Sequence, residues 1–371
     1  MGENVLITGG AGFIGSHLCD ALLEKGHRVR VLDDLHPQVH GPDRRRPSYL
    51  PAEVELVVGD VRDRSVVERV SRDVDVVYHL AALVGVGQSM YRIEDYVSVN
   101  DVGTAVLLEV LAARPPRRLV VASSMSIYGE GLYARSDGRI IGGTSRSLTQ
   151  LEKRDWELRD DRGTPLTPVP THEDKTPSLE SVYALSKYDQ ERMSLVVGRA
   201  YGIPTVALRF FNVYGPRQAL SNPYTGVLAI FSSRLLNGRP PLIFEDGQQR
   251  RDFVSVHDVV RACVLAMERE EAAFAAVNVG SGRSYTVSEI AWRVAESVGR
   301  RIDPEITGQY RKGDIRHCFA DVSLAEKLLG YRPRVSLEDG LRELAAWLEG
   351  QSAEDAVAQA KAELSARGLT L

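Results

Sequence analysis

A glycine-rich turn near the amino terminus constrains the fold of this chain more than any other feature. The apolar run Val5–Thr8 has the pattern of a buried strand, Gly9-Gly-Ala-Gly-Phe-Ile-Gly15 follows it directly, and an amphipathic helix comes next. Gly9 permits a tight turn, Gly12 lets backbone N–H groups approach a diphosphate, and Gly15 allows close packing of helix on strand. This order of elements predicts a dinucleotide site.

The first half of the chain alternates short β-branched runs with amphipathic helical stretches, which is typical of a parallel sheet covered on both faces. The predicted strands are Asn4–Thr8, His27–Asp33, Glu53–Gly59, Val74–Leu80, Arg118–Ser123 and Thr205–Phe210. We therefore expect an α/β fold with a doubly wound parallel sheet. Its ligands should bind at the carboxyl ends of the strands.

An acidic residue at the end of the second predicted strand indicates which dinucleotide binds. Asp33 is placed to accept hydrogen bonds from the adenosine ribose, and a carboxylate there repels a 2′-phosphate, so NAD is favoured over NADP. Arg44-Arg45-Arg46 would argue for NADP, but it lies roughly a dozen residues farther on and is interpreted as a solvated basic loop. Asp60-Val61 follows the third strand and suits the adenine edge, with a simple strand-end turn as the alternative.

The composition argues against several classes of partner. With 46 Lys and Arg against 50 Asp and Glu, the net charge of −4 gives no sign of nucleic acid binding. Cys19, Cys263 and Cys318 are scattered without metal-ligand spacing, so we expect no metal site and a reducing, cytoplasmic location. No uninterrupted apolar stretch approaches the roughly 20 residues that span a bilayer, and a strand begins where a signal peptide would lie. We expect no membrane partner.

A second motif, Tyr183-Ala-Leu-Ser-Lys187, adds chemistry to the dinucleotide site. Residues four apart lie on one face of a helix, so the Tyr183 phenol and the Lys187 ammonium can meet. A phenol titrates near pH 10, so its use as a base near neutrality needs a pKa shift of about three units, on the order of 4 kcal/mol. A neighbouring ammonium shifts it in that direction. Many helices carry such a pair in solvent, but beside the glycine turn it predicts redox chemistry on a hydroxyl group.

Changes in texture along the chain predict the domain organisation. We expect a dinucleotide-binding domain over residues 1–208, a smaller mixed α/β domain over 209–350 and a C-terminal helix over 351–371. Residues 129–172 are rich in charge, Gly, Thr and Pro, so they should form a surface insertion near the site or a partly mobile flap. The Ala-rich tail could dock on its own chain or on a second subunit.

Seven short motifs lie in a characteristic order between Val5 and about Leu348. They are Gly9-x-x-Gly12-x-x-Gly15, His79-Leu-Ala-Ala82, Ser123-Ser-Met-Ser-Ile-Tyr-Gly129, Tyr183-x-x-x-Lys187, Arg209-Phe-Phe-Asn-Val-Tyr-Gly-Pro-Arg217, Arg251-Asp-Phe-Val-Ser-Val-His-Asp258 and Gly313-Asp-Ile-Arg316. Together they resemble the extended short-chain dehydrogenase/reductase family, and within it the nucleotide-sugar 4-epimerases typified by UDP-glucose 4-epimerase. The resemblance implies a Rossmann-type sheet, NAD as cofactor, and a homodimer formed through two helices of each subunit.

The resemblance also implies roles for individual residues. Tyr183 would be the base, Lys187 would hold the nicotinamide ribose and lower the tyrosine pKa, and Ser124 would bond the sugar O4. Oxidation of a secondary alcohol removes a proton and a hydride together, so a base must lie at the oxygen while NAD faces the carbon. The implied cofactor contacts are Gly9, Gly12, Phe13, Ile14, Gly15, Asp33, Asp60, Val61, Leu80, Ala81, Ala82, Asn100, Ser123, Tyr183, Lys187 and Phe210.

A UDP- or dTDP-linked sugar is the implied substrate. Asn100 would brace the active site and Asn212 would bind the sugar diphosphate, with Arg251 and Arg311 on its phosphates, because guanidinium groups offer forked donors and keep their charge. The implied substrate contacts are Ser124, Ser126, Asn212, Arg251, Arg311 and Cys318.

Two positions decide between reactions of the family. Sugar 4,6-dehydratases place an Asp-Glu pair directly after the catalytic Ser or Thr, whereas this chain has Met125 and Ser126, which cannot protonate a leaving hydroxyl. We therefore predict a 4-epimerase that oxidises C4 transiently and returns the hydride to the opposite face. The alternatives are an NAD(P)-dependent reductase or dehydrogenase that releases oxidised product, a 4,6-dehydratase, and a non-catalytic NAD-binding sensor.

Two further departures concern the substrate pocket and the insertion. Cys318 falls where some epimerases carry a bulky tyrosine, so either it leaves room for a larger sugar or it is a buried structural cysteine. The insertion resembles that of a subgroup that includes dTDP-L-rhamnose 4-epimerases, as does Ser221-Asn-Pro-Tyr-Thr-Gly226. Where some relatives carry cysteines, this chain has Arg159 and Arg162, so no zinc site is expected and both arginines are interpreted as solvated.

Overall fold

The computed structural model describes residues 2–311 and 313–370. Its strands are β1 (Asn4–Thr8), β2 (Arg28–Asp33), β3 (Glu55–Val58), β4 (Val76–His79), β5 (Arg118–Ser124), β6 (Leu132–Ala134), β7 (Ile140–Gly142), β8 (Thr167–Val169), β9 (Thr205–Phe210), β10 (Asn212–Tyr214), β11 (Leu242–Ile243), β12 (Arg250–Arg251), β13 (Phe253–Ser255), β14 (Ala276–Val279), β15 (Tyr285–Thr286), β16 (Glu305–Ile306) and β17 (His317–Cys318). Its helices are α1 (Phe13–Glu24), α2 (Pro37–His40), α3 (Arg64–Val70), α4 (Val86–Ser89), α5 (Ile93–Tyr96), α6 (Gly103–Ala113), α7 (Leu148–Glu152), α8 (Val182–Tyr201), α9 (Val227–Leu236), α10 (Val256–Glu268), α11 (Val287–Ser297), α12 (Ser323–Leu329), α13 (Leu337–Leu348) and α14 (Val357–Ala366). A π-helical segment, Val97–Val102, joins α5 to α6.

Seven parallel strands form the main sheet, in the order β14-β9-β5-β4-β1-β2-β3. All six predicted strands lie in this sheet, and β1 and β9 have the predicted bounds. Every residue of β5 is buried, because the sheet is covered on both faces. The predicted doubly wound α/β fold is confirmed. The strand order reverses beside β1, which places the glycine turn at the crevice where ligands of such sheets bind.

The chain beyond the predicted domain boundary at residue 208 contributes to the main sheet as well as to the smaller layer. Beyond it, α10 returns to pack against α1, and β14 pairs with β9 at the edge of the main sheet. Val277 and Val279 are fully buried there. The sequence reading missed β14 because it has only four residues and lies among short elements and turns.

A second, smaller core lies between α9, α11 and α13. Leu341 and Leu344 of α13 face this core, as do Ile290 and Val294 of α11. The short strands around it pair in small sheets, among them the parallel pair β10–β13 and the three-stranded sheet β15-β12-β17. This mixed α/β layer corresponds to the smaller domain predicted over residues 209–350, except that α10 and β14 belong to the layer of the main sheet.

The insertion predicted at residues 129–172 is an ordered unit rather than a plain loop. Its strand β6 pairs antiparallel with both β7 and β8. Buried charges attach it to the smaller domain: Arg146 Nη2 lies 2.8 Å from Glu245 Oε1, and Arg316 Nη2 lies 2.6 Å from Glu157 Oε1. Residues 129–172 thus form a folded insertion, as in the first of the two expectations, a surface insertion or a partly mobile flap.

The helical run Ile93–Ala113 has the length and mean hydropathy, 1.3 over 18 residues, of a segment able to cross a membrane. Of that window, 44% is buried, and the run packs against α8 and α3. Core helices of globular proteins share these properties, so the run is weak evidence for a membrane span.

Candidate active site

A cavity of 770 Å³ lies at the carboxyl ends of the main-sheet strands and extends to the smaller layer. The predicted cofactor and substrate residues line it, with the exceptions of Asn100 and Cys318. The cavity also receives side chains from α14, beyond the segment in which the sequence motifs occur.

The glycine turn has the geometry that a diphosphate requires. Gly9 has φ of +73°, and a Cβ there would lie 2.7 Å from the Ala81 backbone nitrogen, while one on Gly15 would lie 2.6 Å from Gly9 O. Helix α1 begins after Gly12 without a side-chain cap, so its first N–H groups are free to bind an anion. These residues fit the diphosphate of NAD.

Asp33, predicted to bind the adenosine ribose, is fixed by two backbone N–H groups. Its carboxylate accepts hydrogen bonds from the backbone N–H groups of Ala11 at 3.0 Å and Leu35 at 2.9 Å. Burial raises its pKa, and these bonds together with nearby His40 oppose that rise. Arg44-Arg45-Arg46 does not line the cavity, and Arg44 instead donates to the carbonyl oxygens of Asp34 and Leu35.

Asp60 lies on the cavity wall together with an arginine that the sequence reading missed. Arg62 donates to both carboxylate oxygens of Asp60, with its Nη2 2.5 Å from Oδ2, and these bonds hold the pKa of Asp60 below its usual value. The sequence signal that could have revealed this pair is the opposite charges of Asp60 and Arg62, two positions apart. Val61 lines the same wall.

Tyr183 lies in the first turn of α8, which begins at its cap Ser181. Tyr183 and Ser124 line the same wall of the cavity, and the Ser126 hydroxyl lies 2.9 Å from the Ser124 hydroxyl. Burial raises the pKa of Tyr183, and the nearby Ser124 hydroxyl partly opposes the rise. The Tyr183 backbone N–H donates to Ser89 Oγ, a contact that sequence reasoning missed. Ser124, Ser126 and Tyr183 thus meet at the end of β5.

Lys187 is oriented differently from the expectation. Its Nζ donates to Gln190 Oε1 at 2.7 Å, and burial lowers its pKa to about 7 despite the charges of Glu191 and Asp101. The predicted lowering of the Tyr183 pKa by this ammonium is wrong for the cofactor-free protein, because burial dominates both groups. Lys187 still lines the cavity, where its ammonium can donate to ribose hydroxyls of NAD.

Asn100 lies behind the cavity wall rather than in it. Its side-chain oxygen accepts a hydrogen bond from the Leu83 backbone N–H. Its side-chain nitrogen donates to the Leu83 carbonyl oxygen and to Ser186 Oγ on α8. This arrangement matches the bracing role and not the predicted cofactor contact.

Cys318 does not line the cavity, so its prediction as a substrate contact is corrected. It is 1% exposed and packs with Met125, Tyr128 and Phe211, with its thiol 3.8 Å from Thr171 Oγ1. Burial raises its pKa to about 12. The alternative, a buried structural cysteine, describes it, since β17 carries this side chain into the core.

The two predicted phosphate-binding arginines meet around Asp314. Arg311 Nη2 lies 3.0 Å and Arg251 Nη2 lies 3.7 Å from the Asp314 carboxylate. Burial raises the pKa of Asp314, but the two guanidinium groups hold it below its usual value. Asn212 Oδ1 is buried without a hydrogen-bond partner among the described residues. This side chain has an unmet polar atom that a bound ligand can satisfy.

Charge pairs distant in sequence support the site and were not predicted. Arg209 and Glu191 form a buried ion pair at 2.7 Å, and Glu191 also accepts from Ser123. Arg159, predicted to be solvated, pairs with Asp155 at 2.9 Å while staying partly exposed.

In residues 2–311 and 313–370, no group of three His, Cys, Asp or Glu side chains is arranged to hold a metal ion.

Residues 5–280 match the model of the NAD dependent epimerase/dehydratase family. The chain is 36% identical over 352 residues to a dTDP-L-rhamnose 4-epimerase of Burkholderia thailandensis, covering 94% of this chain and 95% of that one. A UDP-glucose 4-epimerase of Thermotoga maritima, solved with UDP-glucose, has a TM-score of 0.76 at 32% identity, with 93% and 98% of the two chains covered. A UDP-glucuronic acid 4-epimerase of Bacillus cereus, solved with UDP-glucuronic acid and NAD, has a TM-score of 0.76 at 28% identity, with 93% and 99% covered.

Proposed function

This chain belongs to the NAD-dependent epimerase/dehydratase family, and from that premise we propose that Tyr183 is the base of its reaction. The reaction is the NAD-dependent epimerisation of a nucleoside-diphosphate sugar at C4, so the chain is an isomerase. The observation that carries the proposal is the placement of Tyr183 and Ser124 together on the wall of the cavity. Both hydroxyls can reach one sugar oxygen.

The side chains have separate tasks in this proposal. Ser124 orients the O4 hydroxyl, and Tyr183 accepts its proton and later returns it. NAD, when bound, would supply the acceptor and donor of the C4 hydride. Lys187 holds the ribose of the cofactor, and Arg251 and Arg311 hold the diphosphate of the substrate. Met125 and Ser126 supply no acid, so neither can protonate a leaving hydroxyl as a dehydratase would.

We infer that the substrate is a dTDP-linked 6-deoxysugar of the dTDP-L-rhamnose type. The support is the 36% identical relative of nearly equal length, together with the apolar side chains beside the reacting pair. Met125 follows Ser124 directly, and Met125 and Val84 both line the cavity. Apolar side chains suit a C6 methyl group better than a C6 carboxylate.

NMR of the sugar C4 configuration tests both the proposed base and the inferred substrate. The purified protein with bound NAD should invert C4 of dTDP-L-rhamnose faster than C4 of UDP-glucose or UDP-glucuronic acid. A preference for a UDP-sugar would contradict the inferred substrate, and turnover by Tyr183→Phe equal to that of the wild type would contradict the proposed base.

We propose that two subunits associate through the helical run Ile93–Ala113 and α8. Apolar side chains on these neighbouring elements face solvent, among them Val97, Val102 and Val196, the last 55% exposed. Light scattering should give the mass of a dimer, and Val196→Glu should yield a monomer, whereas Val58→Glu, at an exposed valine of β3, should not. A monomeric wild-type protein would contradict the proposal.

We propose a cytoplasmic location on the basis of three reduced, buried cysteines, Cys19, Cys263 and Cys318. Fractionation of the source cells tests this. Recovery of the protein outside the cytoplasm would contradict it.

A further inference from the structure

The C-terminal segment, defined here as residues 353–370, crosses the substrate end of the cavity. Val357, Ala360, Lys361 and Leu364 of this segment line the cavity together with the predicted site residues, and Leu369 lines it farther on. None of these positions lies in a motif that indicated the function.

Both ends of the C-terminal segment are fixed to the smaller layer. At its start, the buried carboxylate of Asp355 lies 3.3 Å from Arg234 and 3.0 Å from Arg239. At its end, Thr370 forms an antiparallel bridge with Arg311, a residue of the phosphate-binding pair. The segment therefore begins on α9 and ends beside the diphosphate site.

The middle of the segment is held against the NAD-binding part of the chain by three side chains, here called the phenol–carboxylate cluster. The hydroxyls of Tyr91 and Tyr224 lie 2.6 Å apart, and they lie 2.8 Å and 3.1 Å from Glu363 Oε2 of α14. Arg367 stacks on the Tyr91 ring at 4.3 Å. The cluster joins the turn between α4 and α5, the loop before α9 and the C-terminal segment.

A short path of contacts connects this cluster with the reacting residues. Leu364 lies 3.4 Å from the position that a Cβ on Gly87 would occupy, so α14 packs closely on α4. Ser89 at the end of α4 accepts from the Tyr183 backbone N–H at 3.0 Å. The helix thus lies one element away from the predicted base, at the sugar end of the cavity.

We propose that the phenol–carboxylate cluster of Tyr91, Tyr224 and Glu363 keeps the C-terminal segment closed over the sugar while it is a ketone. This inference rests on the proposed function, because a 4-epimerase must retain its 4-keto intermediate between two hydride transfers. Oxidation breaks the C4–H and O4–H bonds, and the hydride goes to NAD while the proton goes to Tyr183. If the ketone escapes, both electrons stay on the cofactor as NADH and the cycle stops. Lys361 places a positive charge on the same wall, which favours closure over an anionic nucleotide sugar.

Glu363→Ala removes the carboxylate from the cluster, and Ser365→Ala is the matched control on the exposed side of the same helix. Tyr224→Phe is a second cluster variant that keeps the ring packing. We expect the KM for the nucleotide sugar to rise about 5- to 10-fold in the cluster variants, as for one lost charge-assisted hydrogen bond at a partly exposed site. The initial kcat, measured before NADH accumulates, should change by less than about 2-fold, and turnover should then decay as sites lose their ketone. The Kd for NAD should not change.

The decisive measurement is release of the ketone. Free 4-keto sugar, trapped with borodeuteride and detected by mass spectrometry, should appear with the cluster variants together with one equivalent of NADH absorbance per site, and not with wild type or Ser365→Ala. Wild-type KM and no released ketone in Glu363→Ala and Tyr224→Phe would overturn the proposal while C4 inversion by the wild type still stands. Loss of NAD binding in both variants would also overturn it, since the cluster would then be structural. A wild-type protein that inverts no sugar would instead contradict the proposed function.

Discussion

Removal of the buried ammonium of Lys187 should stabilise the cofactor-free protein, and more so at low pH. Lys187 is 3% exposed, and burial lowers its pKa from 10.5 to about 7. A shift of about 3.5 units corresponds to a penalty on the order of 5 kcal/mol for keeping the ammonium charged in the folded state. The site is thus built for a bound cofactor, at a cost to the empty protein.

The sign of the pH dependence follows from proton binding. Between pH 7 and pH 10.5 the unfolded chain holds the proton and the folded chain does not, so stability rises with pH across this window, and below pH 7 the penalty is complete. At pH 8.5 about 3 kcal/mol of the penalty remains. The advantage of Lys187→Met over the wild type should therefore be about 2 kcal/mol larger at pH 6 than at pH 8.5.

Urea unfolding of the cofactor-free proteins at the two pH values measures this difference. Lys187→Met also leaves Gln190 Oε1 without its donor, at a cost of about 1 kcal/mol, but this cost is the same at both pH values. Lys153→Met, at an exposed lysine of the insertion, is the control and should show no such difference. An advantage of Lys187→Met that is equal at both pH values, or larger at pH 8.5, would refute the reasoning.

Three further changes have separate outcomes. Tyr183→Phe should lower kcat by about 10²- to 10⁴-fold in the NMR assay while calorimetry still shows NAD binding, and unchanged kcat would exclude a base at this position. Gly15→Ala should abolish NAD binding in a fluorescence titration, because its Cβ would lie 2.6 Å from Gly9 O, and normal binding would show that the turn can yield. Cys318→Tyr should lower the Tm, since the thiol is 1% exposed in a packed core, and a changed sugar preference at unchanged Tm would argue for a pocket wall here.

The sequence predicted the elements whose signals are local. The strand, turn and helix around Gly9–Gly15 and the helix that carries Tyr183 and Lys187 each depend on spacings of a few residues, and the structure has them as expected. The predicted bounds are those of the structure for β1 and β9, and the other four predicted strands differ by one or two residues at their ends. Periodicity and turn chemistry act over such distances.

Contacts between distant residues could not be predicted in the same way. The pair of Arg209 with Glu191, and that of Arg316 with Glu157, depend on how loops pack, and charged residues elsewhere in the chain look the same in sequence. Cys318 was assigned to the pocket because its position in a motif does not reveal on which side of a two-residue strand its side chain lies. The orientation of Lys187 depends on Gln190, one turn farther along the same helix.

The edge position of β14 has a consequence for the order in which the chain acquires its structure. β14 is the strand that pairs with the outer side of β9, and α10, which precedes it, covers α1. A nascent chain that ends after residue 210 has synthesised six strands of the sheet, yet it exposes the hydrogen-bonding edge of β9 and the apolar face of α1. Such an edge recruits strands of other chains. During translation the main sheet therefore stays incomplete until about 70 more residues have left the ribosome and β14 can pair with β9. A fragment that ends directly after β9 should aggregate.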